Sequence, residues 1–521
     1  MEASTFCYDM GVGLIVVVLL LALTTWRFLN LLWFKPKKIE KLLRAQGLKG
    51  SRYKFMFGDM KEMAQMTRQA RSKPIGLDDD IVVRVSPFVH KTVEAYGKIC
   101  FTWMGSKSMV HIAEPAMARE ILTNFSTFQK SRGANPLIRK LMKGLIDVEA
   151  EQWIKHRKII NPAFHPEKLK NIVPAFYMSC NEMIDKWGGM LTVKSSCEVD
   201  VWPYLQDMTN DVISRAVFGD SYEEGKKIFE LQQKMIELVL KSAQSPYIPG
   251  LRFLPTEGNK KMKLISQKVT ISINSIIDRR LLLTKAGKCD DNDLLGTLLN
   301  TSENEIIQDK NKNSGLKTEE IIEECKLFYL AGQETTRNLL VWTMVLLSQH
   351  TNWQTRARNE VLQVFGDKPP DFERLRRLKI VNMILSEVLR LYPPLTQIGR
   401  TVHKETKLGD LTLPSGTLLQ INVLHLHHDR DIWGDDVKEF KPERFSESVA
   451  KVTGGQACYL PFSTGPRVCI GQNFAMLQAK MTIAMILQRF AFELSPSYSH
   501  APHFVFTLQP QLGAYLILRK L

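Results

Sequence analysis

Near the C-terminus a cysteine sits in a loop of unusual composition. Pro461-Phe462-Ser463-Thr464-Gly465-Pro466-Arg467-Val468-Cys469-Ile470-Gly471 carries the spacing F-x-x-G-x-R-x-C-x-G. Glycines permit turns and close approach that a Cβ forbids. The run Gln472–Phe490 that follows is helical in pattern, so Cys469 lies just ahead of a helix N-terminus, whose partial positive charge favours a thiolate. Arg467 adds a cation two residues away. A thiolate in a tight loop suits one axial metal bond. Zinc would need partner ligands at short spacing, and only Cys458, eleven residues earlier, is near. A lone cysteine is usually a buried thiol; the surrounding pattern argues for a ligand.

A second group of reactive side chains lies in Thr318–His350, a long apolar helical pattern opened by Thr318-Glu319-Glu320. Its middle reads Ala331-Gly332-Gln333-Glu334-Thr335-Thr336. Two small residues let something bulky lie against the helix. A threonine there can bond back to the carbonyl four residues earlier and bend the axis, opening a polar notch in an apolar wall. Taken alone, this reads first as a packing notch beside a solvated Glu. Elsewhere Glu387 and Arg390 share a helix face. That helix ends at Pro393-Pro394, and Pro442-Glu443-Arg444-Phe445 follows. Trp153 and Arg157, four apart, precede Asn161-Pro162-Ala163-Phe164.

Taken in chain order, these elements resemble the cytochrome P-450 superfamily, whose cysteine thiolate ligates haem iron and favours O–O cleavage. The resemblance implies a mainly α fold with small β-sheets and haem b on Cys469. It implies that Thr335 orients dioxygen and its protons while Glu334 relays protons from solvent. Trp153, Arg157, Arg400 and Arg467 would hold the haem and its propionates. Glu387, Arg390 and Arg444 would form a buried triad locking the loop before the cysteine, since the Arg fork can grip a carboxylate bidentately. Ala331, Thr396 and Ile398 would line the substrate pocket, as would Gln129–Leu145. Lys155–Phe164, Glu323–Tyr329 and His425–Asp436 further resemble the plant clan of secologanin synthase and the triterpene and gibberellin oxidases. An apolar wall with a few polar groups suits a hydrophobic, partly oxygenated ligand: a terpenoid, or equally a fatty acid. No G-x-G-x-x-G fingerprint appears, so electrons would come from NADPH through a separate cytochrome P-450 reductase, with a cytochrome b-type protein as a second donor.

These parts need an anchor and a frame. Met10–Trp26 is uncharged and apolar, Arg27 interrupts it, and Phe28–Phe34 is apolar again apart from Asn30. About 20 apolar residues span a bilayer, so residues 1–34 are read as one transmembrane helix, with Arg27 snorkelling and Trp26 and Trp33 at the interface. A cleaved signal peptide would carry a basic head; here the head holds Glu2 and Asp9. Lys35, Lys37, Lys38, Lys41 and Arg44 follow, which puts the rest in the cytosol, on the endoplasmic reticulum membrane, with reduced thiols and unglycosylated sequons at Asn124 and Asn300. Residues 35–75 are read as a basic linker on the lipid surface and 76–521 as one catalytic domain. The formal charge of +16 is dispersed, +5 in residues 1–60 and +11 beyond, which suits an acidic protein or anionic lipid and disfavours nucleic acid. Ile99–Trp103 with Val110–Ile112, and Phe504–Leu508 with Ala514–Leu518, read as hairpins, and Asp290–Gly315 as an exposed loop. Competing readings are a haem-thiolate isomerase or dehydratase, against which the intact Ala331–Thr336 motif speaks, and a non-catalytic haem-binding protein.

Overall fold

A computed structural model describes residues 2–130, 143–191, 195–219, 222–243, 256–286, 293–309 and 314–521. Helices dominate from Pro115 to Leu391, and four small sheets flank them. The largest sheet has five strands in the order Ile99–Met104, Lys107–Ile112, Leu418–Ile421, Ile398–Val402, Phe128–Lys130. All its pairings are antiparallel except that of Lys107–Ile112 with Leu418–Ile421. In the last pairing Lys130 lies directly opposite Arg400. Like charges across a ladder are destabilising, so this register needs a reason beyond the sheet.

The first hairpin forms as expected, Ile99 opposite Ile112 through Met104 opposite Lys107. The second is corrected. Pro502–Phe504 pairs with Leu508–Pro510, while Tyr515–Lys520 pairs with Ser196–Asp200 and Phe490–Leu494. The expected strand Phe504–Leu508 is instead the turn of the Pro502–Phe504 hairpin; Ala514–Leu518 does fall on a strand, but alternation could not name its partners, which are distant in sequence. The expected loop at 290–315 is also corrected: Leu294–Asp309 is helical, with Leu294, Leu295 and Leu298 in the main core. Residues 290–292 and 310–313, and most of the expected pocket wall 129–145, lie outside the described residues.

Residues 35–75, read as a basic linker, carry two helices, Lys35–Ala45 and Met60–Arg71, the second without a buried residue. Lys35–Ala45 continues the first helix, and Leu43 is fully buried with Leu48 and Tyr53 in a second core against the five-stranded sheet. Asp59 accepts the Trp103 amide at 2.9 Å. High charge hid this, because one buried stripe on an amphipathic helix suffices to dock it.

The main core is built on the motif helix, Thr318–Gln349, which matches its sequence reading to within a residue. The Lys317 amide donates to Glu320 Oε2 at 2.9 Å and caps it. This helix packs against Val201–Phe218, Ile380–Leu391 and Gln472–Arg489. The last of these starts three residues after Cys469, so the cysteine loop and the motif share one rigid support.

Candidate active site

The cysteine loop is fixed by backbone. The Cys469 amide donates to Phe462 O at 2.9 Å, closing the loop on itself. Gly465 has φ +73°, and a Cβ there would meet Leu122 O at 2.5 Å, so both conformation and space demand glycine. Arg157 Nη1 donates to Val468 O at 2.9 Å, tying the helix Ala150–Ile160 to the residue before the cysteine. Cys469 is the one exposed cysteine among the described residues. Burial nevertheless pushes its thiol up, while the Gly471 amide, Arg157 and Lys130 draw it back. The sequence predicts a lowered thiol; desolvation reverses that, so a metal cation on sulfur is what would hold the thiolate.

On the motif helix, residues 336–348 are buried, but Ala331 is exposed and Thr335 half-buried. The two small residues divide the work. A Cβ on Gly332 would meet Ile213 Cδ1 at 2.8 Å, so Gly332 admits the neighbouring helix, while Ala331 opens outward. Thr335 Oγ1 donates to Ala331 O at 2.7 Å, the back-bond expected of a helical threonine. Glu334 is not free. Its Oε2 accepts from Arg337 Nη2 at 2.6 Å and from Thr507 Oγ1 at 3.2 Å. Arg337 in turn bonds Gln206 at 2.7 Å and lies 3.9 Å from the Trp202 ring centroid.

Arg400 and Arg467 are almost completely buried. Arg467 stacks on Trp153 at 4.8 Å, pairs with Glu149 and donates to Val148 O at 3.0 Å. Arg400 donates only to its neighbour, Gly399 O, at 2.9 Å. Nε and Nη2 of Arg400 and Nε and Nη1 of Arg467 have no partner among the described residues. Burial and then Arg467 push the Arg400 guanidinium down to about 10. Beside them stands Lys130, whose ammonium is pushed down to about 7 by burial, then by Arg400 and Arg467. Three crowded cations with four buried, unpaired N–H-bearing atoms mark the place of an anion. The two carboxylates of haem fit that donor set. Lys130 was not singled out from the sequence; only the strand register shows it opposite Arg400.

The scaffold triad forms. Arg390 Nε and Nη2 each donate to Glu387 at 2.8 Å, and Arg444 Nε lies 3.5 Å from the same carboxylate. Sequence reasoning missed His427, which joins this triad to the cysteine loop. Its Nδ1 donates to Arg390 O at 3.0 Å, and its Nε2 accepts the Leu460 amide at 2.8 Å. An amide can only donate, so the tautomer is fixed. His427 lies within the His425–Asp436 resemblance, the one signal that could have found it. The other two clan-like segments also meet: His156 Nδ1 bonds Glu324 Oε1 at 2.6 Å, both buried. Of the expected pocket residues, Ile398 is half-buried and Thr396 turns inward, its carbonyl accepting from the Leu424 amide at 3.1 Å, while Leu395 and Gln397 face out.

A mainly helical body with a cysteine loop, a notched helix and a buried cationic cradle defines a haem-thiolate oxygenase. The family comparison agrees: residues 84–517 match the cytochrome P-450 family model, and the chain belongs to that family. It is 55% identical over 519 residues to CYP72A219 of Panax ginseng, covering 99% of this chain and 98% of that one. It is 49% identical over 500 residues to 7-deoxyloganic acid hydroxylase of Catharanthus roseus, covering 95% and 96%. Among solved structures, cyanobacterial CYP120A1 with bound retinoic acid superposes with a TM-score of 0.74 at 22% identity, over 91% of this chain and 99% of that one, a likeness of fold. The chain is therefore a plant-type cytochrome P-450 monooxygenase that uses haem iron and electrons from a reductase partner. One N-terminal helix, within Gly13–Ala45, is long and apolar enough to cross a membrane.

Proposed function

We propose that this monooxygenase hydroxylates or further oxidises a plant terpenoid of triterpenoid, iridoid or gibberellin-like type. It works at the endoplasmic reticulum membrane with its body in the cytosol, on electrons passed from NADPH by cytochrome P-450 reductase. A cytochrome b-type protein is a second donor. The observation that carries the substrate class is the 49% identity, across nearly the whole chain, to a hydroxylase of 7-deoxyloganic acid. The notch at exposed Ala331 suits an apolar substrate. The test is metabolite profiling of cells expressing the chain with a reductase and supplied with iridoids, triterpenoids and fatty acids. Turnover of fatty acids alone would overturn the class.

In this reading Cys469 would be the ligand of haem iron, Arg400, Arg467 and Lys130 would receive the haem carboxylates, and Trp153 and Arg157 would brace them. Bound haem supplies dioxygen activation; the chain supplies position and protons. Arg157 holds Val468, and so the cysteine, at a fixed height. Thr335 Oγ1 commits its proton to Ala331 O and keeps its lone pairs for a water. A water that donates to Oγ1 would be held there, and that water would carry protons into the cleft. Arg337 holds Glu334 through Nη2 and Gln206 through Nη1 at the same time, so Glu334 would pass protons to that water only when Arg337 swings away from it.

Two substitutions test these roles. Cys469→Ser should abolish the red-shifted Soret band of the reduced carbon monoxide complex; a retained band excludes Cys469. Thr335→Ala should keep that band but uncouple the enzyme, lowering product per NADPH by about 10²-fold or more while hydrogen peroxide rises. Wild-type coupling would make Thr335 a packing residue.

A further inference from the structure

The junction between the first helix and the body is a joint with its own chemistry. Glu2–Leu29, the π-turn Asn30–Phe34 and Lys35–Ala45 run on without a break, and Leu29, Phe34 and Lys35 all keep helical dihedrals. The π-turn has a cause. Pro36 has no N–H and its ring crowds the carbonyl four residues back, that of Leu32. Widening relieves the clash, and Pro36 offers Leu32 O no N–H. Tyr53, on the loop that enters the catalytic body, donates its hydroxyl to that carbonyl.

Tyr53 is itself held from three sides. Its ring packs edge-on against the buried Trp103 at 4.9 Å, its amide donates to Glu40 Oε2 at 3.4 Å, and its oxygen accepts the Met56 amide at 3.1 Å. Below the joint, Arg44 donates to Gly50 O at 2.9 Å and Leu43 is fully buried. The membrane helix is therefore welded to the five-stranded sheet.

The same joint displays an apolar patch. Trp33 lies 6.1 Å from the ring of Phe55, and Trp33, Phe34, Phe55 and Met56 are 40%, 48%, 47% and 42% exposed. Met56 is held at φ +61°, a conformation costly for a side chain that gains no burial by it. Lysines ring the patch, with Lys37 5.5 Å from the Trp33 ring and Lys61 4.4 Å from that of Phe57. From Gly13 the helix rises about 30 Å by Trp33, one hydrocarbon thickness. That sets Trp33, and Phe55 with it, at headgroup level, where aromatic rings and snorkelling lysines belong.

We propose that the first helix and the Tyr53–Phe57 loop form one rigid footing in the bilayer interface, with Phe55 and Met56 inserted among the lipids. The Tyr53–Leu32 bond then fixes the tilt of the catalytic body. The proposal rests on the membrane-anchor reading above. Its test uses the full haem-loaded chain in phosphatidylcholine bilayers. A photoreactive benzoylphenylalanine at position 55 should yield a lipid adduct, and one at the exposed Leu362 should not. In oriented bilayers the linear dichroism of the Soret band should fall by roughly half in Tyr53→Phe, since the hydrogen bond that fixes the tilt is lost, with the carbon monoxide band unchanged. No adduct at 55, or unchanged dichroism, in a chain that resists alkaline extraction overturns the footing and leaves the anchor intact. Release by alkaline extraction overturns both.

Discussion

Arg390 and Arg400 are equally buried, 0% and 1% exposed, and differ in everything else. A guanidinium has five N–H donors. Arg390 spends them on both Glu387 oxygens and on the carbonyls of His427, Val437 and Glu439, at 2.7 to 3.2 Å. Arg400 makes one bond to the adjacent residue and faces two more cations, while Arg467, beside it, leaves two nitrogens idle. The first cluster is closed and its work is internal: it clamps Ile380–Leu391 to the segment that His427 ties to the cysteine loop. The second is open, and its idle donors are a cost that only a bound anion offsets. Saturation, not burial or residue type, separates scaffold from receptor.

The comparison breaks first at the closed cluster. Glu387→Ala strands two buried guanidinium donors, and removing one partner of a buried pair costs about 3–5 kcal/mol. The expected outcome is a chain that neither accumulates nor binds haem, measured by expression level and the carbon monoxide spectrum. If stable, haem-loaded protein accumulates, the cluster is no clamp.

At the open cluster the same kind of change should act in reverse on the fold. Arg400→Met removes a cation that its neighbours repel, so the haem-free chain should be as stable as wild type or more so, by thermal unfolding. Haem retention should fall by about 10- to 100-fold, the value of one charge-assisted bond of about 1.5–3 kcal/mol. Loss of folding with unchanged haem retention would place Arg400 with Arg390 as scaffold.

Much of this difference could not be read from the sequence. Glu387 and Arg390 are neighbours on one helix face, so spacing alone pairs them. The cysteine loop and the Thr335 back-bond are likewise local, and both formed as local patterns dictate. What escaped depends on distant segments. Lys130 gains meaning only from a strand pairing across 270 positions, opposite Arg400. His427 gains it from accepting an amide that belongs to Leu460. The packed helix and turns of residues 35–75 were masked by lysines that reach outward while Leu43 turns inward. Glu334 lies on the motif helix, yet its contact with Arg337 is shared with Gln206 and Thr507, which no motif names.

The finest test of the open cluster is its proton. Lys130 is pushed from 10.5 to about 7 by burial, then by Arg400 and Arg467, with Glu149 and Cys469 opposing. An unfolded lysine stays protonated to about 10.4, so between about pH 7 and that value the unfolded chain binds a proton that the haem-free fold does not. Stability of the haem-free chain therefore rises with pH across this window. Haem carboxylates at the cradle would return the ammonium to its charged state, so binding takes up a proton and weakens as pH rises. Haem transfer from the full chain to excess apomyoglobin should accelerate between about pH 7 and 9, by up to about tenfold per unit, the limit for one proton. Lys130→Met should flatten that dependence and Lys130→Arg should shift it beyond the accessible range. A pH dependence that survives Lys130→Met unchanged would remove Lys130 from the cradle and leave the two arginines to hold the anion alone.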